Sequence, residues 1–351
     1  MGQQSLQALG GALTGASLTA LDANFDELYG FYGIASGNPF ATNRFVDGDH
    51  GSDTNDGLTP SKAFATIQAA INASGQGDRI FIKPLEGDSA SGDTDPDSYA
   101  ETLTITGKDG LQLIGCGRGC THGGQPQIKK GSGSTALCAI NSFGVGLHGL
   151  TFNGAGATGG GVTLVYDGST KDAGGTVIRN CYFKNCKGSA AAATGGGVYW
   201  SANGGCWHVV IENCSFYDCR AGIALLGTAL SVPRGVKILN CLFFAAANTT
   251  VDADIYAAGS GFSALVIDGC KFNTIDVPAY ASSPDAARYM ELLGSGVISN
   301  CTFACVTDPA GTEITFGAAG TGATFPTTFR MANCYGEGVV ATADQSLIGR
   351  T

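Results

Sequence analysis

A six-residue phrase that recurs along the chain constrains the fold more than any other feature. It reads apolar residue, any residue, Asn or Gly, Cys, any residue, Phe, and its clearest copies are Ile178-Arg179-Asn180-Cys181-Tyr182-Phe183 and Ile211-Glu212-Asn213-Cys214-Ser215-Phe216. Ile238 to Phe243, Ile267 to Phe272 and Ile298 to Phe303 follow the same pattern. Looser copies begin at Leu113, Leu147 and Met331, the last with Gly336 in place of Phe. The fourth positions, 116, 150, 181, 214, 241, 270, 301 and 334, are separated by 34, 31, 33, 27, 29, 31 and 33 residues. Near-regular but elastic spacing signals one structural unit per repeat, with loops of varying length.

The third position is Asn in five copies and Gly in three. Those residues tolerate left-handed backbone better than others, so a bend is expected there. The apolar runs on either side of the bend are then two short strands that share an interior. A further run lies between the phrases, as in Gly161 to Tyr166, Gly197 to Trp200, Gly222 to Leu226 and Asp254 to Tyr256. Four to six residues flanked by Gly suit a strand better than a helix. The unit is therefore a coil of three short strands. One coil cannot bury its own apolar side, but coils stacked at about 4.8 Å form parallel sheets around a continuous core. Eight coils would make a rod of roughly 40 Å. Helical solenoids share this period, yet the Gly, Thr and β-branched content between phrases opposes amphipathic helices of the required length.

Of 351 residues, 55 are Gly, but without a three-residue period and with only 10 Pro the chain is no collagen. Its glycines belong to turns. A formal net charge of −10 with 19 scattered basic residues argues against a nucleic-acid partner. No apolar run is long enough to span a membrane, and the N-terminus lacks the succession of a signal peptide. The expectation is a soluble product made in the cytoplasm of its producer. Leu6 stands where a myristoylation signal wants Ser or Thr.

Residues 1–43 are expected to form a helical attachment or capping segment. Leu18, Leu21, Phe25, Leu28 and Tyr29 fall on one helical stripe, Ser17 or Thr19 can cap its start, and Gly30 closes it. Such a stripe needs a cover, either the open end of the solenoid or another subunit. Residues 44–351 form the solenoid domain, with an opening turn and capping helix at 44–77 and coils over about 78–340. The helix is expected over Phe64 to Asn72, with strands at Asp78 to Pro84 and Tyr99 to Ile105.

The succession Gly51-Ser52-Asp53-Thr54-Asn55-Asp56-Gly57, capping helix and first coil resembles the N-terminal end of the pectate-lyase-like right-handed β-helix superfamily. With the later repeats, the resemblance covers about residues 44 to 340. It implies an all-β, right-handed parallel β-helix and says little about activity. The stretch Leu18 to Tyr29 looks like the leader found on bacteriophage tail and virion proteins. Together they resemble a phage tailspike or other β-helical virion protein, which implies a homotrimer, a virion location and contact with other virion proteins through the N-terminal segment.

Candidate chemistry is sparse. Asp47, Asp49, Asp53 and Asp56 could attract calcium, but their spacing fails the EF-hand pattern, and Asx and Gly residues make tight turns without metal. No metal or cofactor is expected. The recurring Cys could be ligands, disulfides or core. Side-by-side placement on parallel strands disfavours the disulfide torsion, so a stacked, reduced ladder is expected, extended by Cys186 and Cys219. A glycosidase needs two carboxylates about 5 to 10 Å apart. Asp167, Glu212, Asp218, Asp268 and Glu291 lie on or beside strands without an evident acid–base pair, and Asp218 with Arg220 offers a single lyase-like pair. His50, His122, His148 and His208 accompany no nucleophile motif. Tyr199, Trp200, Trp207 and Tyr217 surround the Gly-rich stretch 201–205 and could either stack on sugar rings or pack a loop onto the solenoid. The expected function is a structural virion protein, a tailspike or decoration, that presents a rigid rod to host-surface glycan or to neighbouring subunits. The alternative is a polysaccharide lyase or glycoside hydrolase acting on capsule or lipopolysaccharide.

Overall fold

The computed structural model describes residues 41–86, 97–117, 124–129, 136–154, 160–168, 171–187, 196–201, 203–225, 232–244, 253–273, 288–303, 314–316 and 328–336. The stripe Leu18, Leu21, Phe25, Leu28 and Tyr29 lies outside them, as does His122.

The described chain winds as a parallel β-solenoid with three columns of strands, as the repeat requires. Column 1 contains Leu103–Thr106, Cys138–Asn141, Val162–Leu164, Val198–Trp200 and Ala221–Ala224. Column 2 contains Asn43–Val46, Arg79–Ile82, Gln112–Gly115, Gly146–His148, Val177–Arg179, Val210–Glu212 and Lys237–Leu239. Column 3 is a nine-stranded sheet that runs from Ser98–Tyr99 to Tyr335–Gly336. Ala253–Asp268 and Arg288–Ser299 each serve columns 1 and 2 in turn, so there the corner between them is drawn out rather than looped.

Register follows the phrase. Ile178 pairs with Ile211, Ile211 with Ile238, Ile238 with Ile267 and Ile267 with Ile298. Beyond the bend, Phe152, Phe183, Phe216, Phe243, Phe272 and Phe303 stack in a column with ring centroids 4.9 to 5.1 Å apart and planes within 11°. That interval is the coil rise itself. Each buried Phe contributes about 1.5–3 kcal/mol by leaving water, and each stacked pair about 0.5–1.5 kcal/mol more. Glycines make room for the rings. A Cβ on Gly161, Gly197 or Gly222 would come within 2.9, 2.6 and 2.6 Å of Phe183, Phe216 and Phe243.

Seven of the eight third positions take the left-handed conformation: Gly149, Asn180, Asn213, Asn240, Gly269, Asn300 and Asn333, with φ between 52° and 66°. The copy at Leu113 departs from the expectation. Gly115 lies inside a strand, and residues 116–126 separate that strand from its column-3 successor Gln127–Lys129. A Cβ at Gly115 would run into the Gly149 carbonyl, so the residue is Gly for close approach and not for a bend.

Column 1 meets column 2 at a second left-handed ladder that the repeat did not reveal. Gly77, Gly110, Gly144, Gly175, His208, Gly235 and Ala264 all have positive φ. The N–H groups of Gly110, Gly144, Gly175, His208 and Gly235 donate to Phe143, Gly174, Trp207, Arg234 and Ser263 on the next coil, at 2.7 to 3.0 Å.

At the N-terminal end, helix α1 (Ile67–Ala73) buries Ile67, Ala70 and Ile71. Thr66 Oγ1 accepts from the Ala69 N–H, and the Glu101 carboxylate accepts from those of Ile67 and Gln68 at 2.9 Å each. These bonds satisfy amides that a helix start leaves free. The strand expected over Tyr99 to Ile105 is two strands, Ser98–Tyr99 and Leu103–Thr106, which belong to columns 3 and 1.

Candidate functional site

The corner ladder carries the largest exposed aromatics of the described solenoid. On successive coils, the residue just before the left-handed position is Asp109, Phe143, Gly174, Trp207, Arg234 and Ser263. Phe143 is 58% exposed and Trp207 46%. Both are held by their backbones and neighbours. The Phe143 N–H donates to Asp109 Oδ1 at 3.0 Å, and the Gly174 N–H donates to Asp172 Oδ1 at 2.7 Å. The Phe143 ring lies over the glycines of the next coil, where a Cβ on Gly174 or Gly175 would meet it at 3.2 and 3.1 Å. Trp207 Nε1 donates to the Val232 carbonyl at 3.2 Å, and the Arg234 guanidinium sits 5.8 Å from the indole centroid. In the preceding corner loop an antiparallel bridge joins Tyr166 to Asp172, and the Asp167 N–H donates to the Lys171 carbonyl at 3.0 Å. The result is a ribbon of aromatic surface along one edge, ending in a planar cation.

The four aromatics expected to cluster do not converge. Tyr199 faces outward on column 1, half-buried, with a hydrogen bond to Thr163 and burial raising its pKa. Trp200 points into the core with no exposure, and its Nε1 donates to the Cys206 carbonyl at 3.3 Å. Period-2 alternation puts neighbours on opposite faces, so Trp200 cannot stack on a surface ligand. Tyr217 lies on the outer face of column 3, 4.9 Å from Phe244. Only Trp207 stands at the corner. Phe143 escaped the sequence reading, although Phe143-Gly144 and Trp207-His208 occupy equivalent corner positions. Corner loops of different length hide that equivalence.

Two carboxylates expected to be unrelated share a row. Arg179, Glu212, Leu239 and Asp268 are consecutive partners on column 2, so Glu212 and Asp268 lie two coils apart, about 10 Å. Glu212 accepts from Arg179 Nε at 2.8 Å. Hydrogen bonds from Ser299 Oγ at 2.6 Å and Asn300 Nδ2 at 2.8 Å hold Asp268 below the usual carboxylate range. The carboxyl of Glu101 is pushed up by burial, but it caps α1. Asp218 adopts left-handed backbone at φ 51°, and Asp167 Oδ1 accepts from the Lys171 N–H. Glu291 lies in Arg288–Ser299, between Tyr256 and Thr315. His148 Nε2 pairs with Gln112 Oε1 at 2.9 Å, and burial, then Arg179, lowers its pKa.

The acidic opening turn is occupied by its own chain. Asp47 Oδ1 accepts from the N–H groups of Asp49 and His50, Asp53 from those of Ala65 and Thr66, and Asp56 from that of Leu58. Asp47, Asp49 and His50 present side chains close enough to hold an ion, but the Lys83 ammonium stands among Asp47, Asp49 and Glu86 at 3.2, 3.7 and 2.8 Å.

Among the described cysteines, Cys181, Cys214, Cys241, Cys270, Cys301 and Cys334 form a column along the phrase, and Cys186 and Cys219 a second beside it. They are free thiols. Each Sγ–H turns to carbonyls of its own strand and of the preceding coil: Cys181 reaches Leu147 at 3.5 Å and Arg179 at 3.3 Å. Burial pushes the Cys138 and Cys206 thiols up to about 12 and raises those of Cys214 and Cys219 well above the ordinary value.

The sequence matches the family described as right handed beta helix region over residues 107–321. The chain belongs to that family. A search of curated proteins gives no match for this β-helix protein. Among solved structures it is similar to a rhamnogalacturonan lyase, at 15% identity and TM-score 0.50, covering 76% of this chain and 69% of the other. It is also similar to the GH136 lacto-N-biosidase from Eubacterium ramulus, at 11% identity and TM-score 0.57, covering 83% of this chain and 55% of that one. A third similar structure is ORF18 of Geobacillus virus E2, at 15% identity and TM-score 0.46, covering 88% and 62%. At these identities the likeness is one of fold.

Proposed function

We propose that this β-helix protein is a virion component that holds host-surface glycan on its corner aromatics as a rigid rod that does not cut its ligand. The observation that carries the reading is the exposure of Phe143 and Trp207 on one edge, two coils apart. Aromatic faces offer sugar rings apolar contact at low entropic cost, and the interlocked coils fix their spacing in advance. The virion assignment is supported by the leader-like stretch Leu18 to Tyr29 and the opening turn. A homotrimer, attached to the particle through residues 1–43, belongs to the same reading and would multiply weak glycan contacts.

Binding of host capsule and lipopolysaccharide to immobilised protein tests it. Trp207→Ala should weaken binding at least about tenfold, or ~1.4 kcal/mol. Tyr199→Ala, on another side, should leave it unchanged, and incubation should release no new reducing ends or unsaturated products. Equal binding by wild type, Phe143→Ala and Trp207→Ala would sink the proposal.

A depolymerase is the second reading, favoured by the shared row of Glu212 and Asp268. By their names, a lyase and a biosidase share the fold. Against hydrolysis there, an inverting site needs one protonated carboxyl, whereas hydrogen bonds from Ser299 and Asn300 hold Asp268 below the usual carboxylate range, and Arg179 Nε already occupies the Glu212 carboxylate at 2.8 Å.

A further inference from the structure

We infer that the corner takes a linear, extended pyranose chain laid parallel to the solenoid axis, in step with the coils, with oxygen acceptors on the ring that follows Trp207. The inference rests on the glycan reading above and specifies the ligand's class and direction.

Three features of the corner set that direction. Its residues advance one coil at a time, locked by the hydrogen bonds from Gly110, Gly144, Gly175 and His208 to the next coil. The step is therefore the coil rise, about 4.8 Å, which is close to the advance per ring of an extended sugar chain. Phe143 and Trp207 start two coils apart, and the Phe143 ring leans toward Trp207 over Gly174 and Gly175. At the two corner positions between them, Gly174 and Gly175 present no side chain to interrupt a ligand. Gly175 also has φ 67°, so its backbone resists replacement as well.

Arg234 sets the far end. From the next coil its guanidinium stands over the indole, 5.8 Å from the ring centroid. Among the described residues, no carboxylate pairs with it. A planar fork of donors in that position meets oxygen atoms of the ring beyond Trp207. A ligand crossing the corner at right angles would touch Trp207 or Phe143 but not both, and would leave Arg234 without a role.

Calorimetric titration with chito-, cello- and xylo-oligosaccharides of one to five rings, beside malto-oligosaccharides whose chains curve, tests the proposal. The expected result is affinity that rises with length for at least one extended series, levels after three or four rings, and stays flat for the malto series. Phe143→Ala should erase the gain from added rings while leaving the shortest ligand's affinity within about twofold, and Phe143→Tyr should restore it. Arg234→Ala should trim the series from the other end. Thermal unfolding of Phe143→Ala should match wild type, since the ring is mostly exposed. Length-independent affinity, or an equal effect of Phe143→Ala on one ring and on five, overturns the inference. So does host-glycan binding with no extended oligosaccharide bound. Absence of all glycan binding would instead remove the parent reading.

Discussion

The bends of the repeat can be tested at Asn213, where a Gly and an Ala substitution should act in opposite ways. Asn213 sits at φ 53°, is exposed, and donates its backbone N–H to the Leu239 carbonyl at 3.0 Å. Its role is therefore conformational. Left-handed backbone costs an ordinary side chain about 1–2 kcal/mol, and glycine almost nothing. The chain already contains the permissive substitution, since Gly149 and Gly269 fill the same position on other coils at φ 64° and 66°. Asn213→Ala should lose about 1–2 kcal/mol. In a chain of this length that is a fall in Tm of roughly 1–3 °C. Asn213→Gly keeps the bend but loosens the unfolded chain, so it should stay within about 1 kcal/mol of wild type. Scanning calorimetry of the three proteins reads the difference directly. If the Gly variant fell as far as the Ala variant, left-handed tolerance would not be why Asn recurs, and the account of the repeat would fail.

Truncating the ring at the middle of the Phe column, Phe216→Ala, should cost about 3–5 kcal/mol in denaturant unfolding, because it opens a cavity between Phe183 and Phe243 at 5.0 and 4.9 Å. A change below about 1 kcal/mol would mean the column is not close-packed. Thiol titration of the native protein should leave Cys138, Cys206, Cys214 and Cys219 unreacted near neutral pH and release them on unfolding, whereas exposed Cys116 reacts in the native state, more slowly than a free thiol because partial burial raises its pKa. Rapid native labelling of Cys214 would refute a closed ladder. In acid, Asp47 and Asp268 should make stability fall as pH drops below about 4. For Asp47, burial alone would raise the pKa, but Lys83 and the N–H groups of His50 and Asp49 outweigh it. At Asp268, Ser299 and Asn300 lower it. A depressed carboxylate contributes stability above its unfolded pKa and loses it as protonation sets in. Lys83→Met should therefore flatten the acid slope, and an unchanged slope would exclude the Lys83 hub.

Much of the architecture was legible because short strands and bends have local signatures. Asn at a left-handed position, an inward Ile two residues before it and an inward Phe three after it are separated by few bonds, so their order survives in the sequence of every coil. The same locality explains why the Cys column could be read as buried thiols. It also explains the errors. Gly115 matches the pattern, but it lies in a strand against the Gly149 carbonyl, where close approach rather than a bend requires glycine. For Trp200 the sequence leaves sugar stacking and packing both open, and one residue of shift from outward Tyr199 turns it into the core.

The sequence by itself determined that coils of three strands stack with their phrases in register, since each coil's apolar side can be buried only by the next. Which outward residues meet was decided by the tertiary structure. Phe143, Trp207 and Arg234 come together through a corner ladder whose loops differ in length, and Glu212 and Asp268 share a row with one coil between them. Contacts between coils join residues about thirty positions apart, at a distance set by stacking rather than by the chain between them.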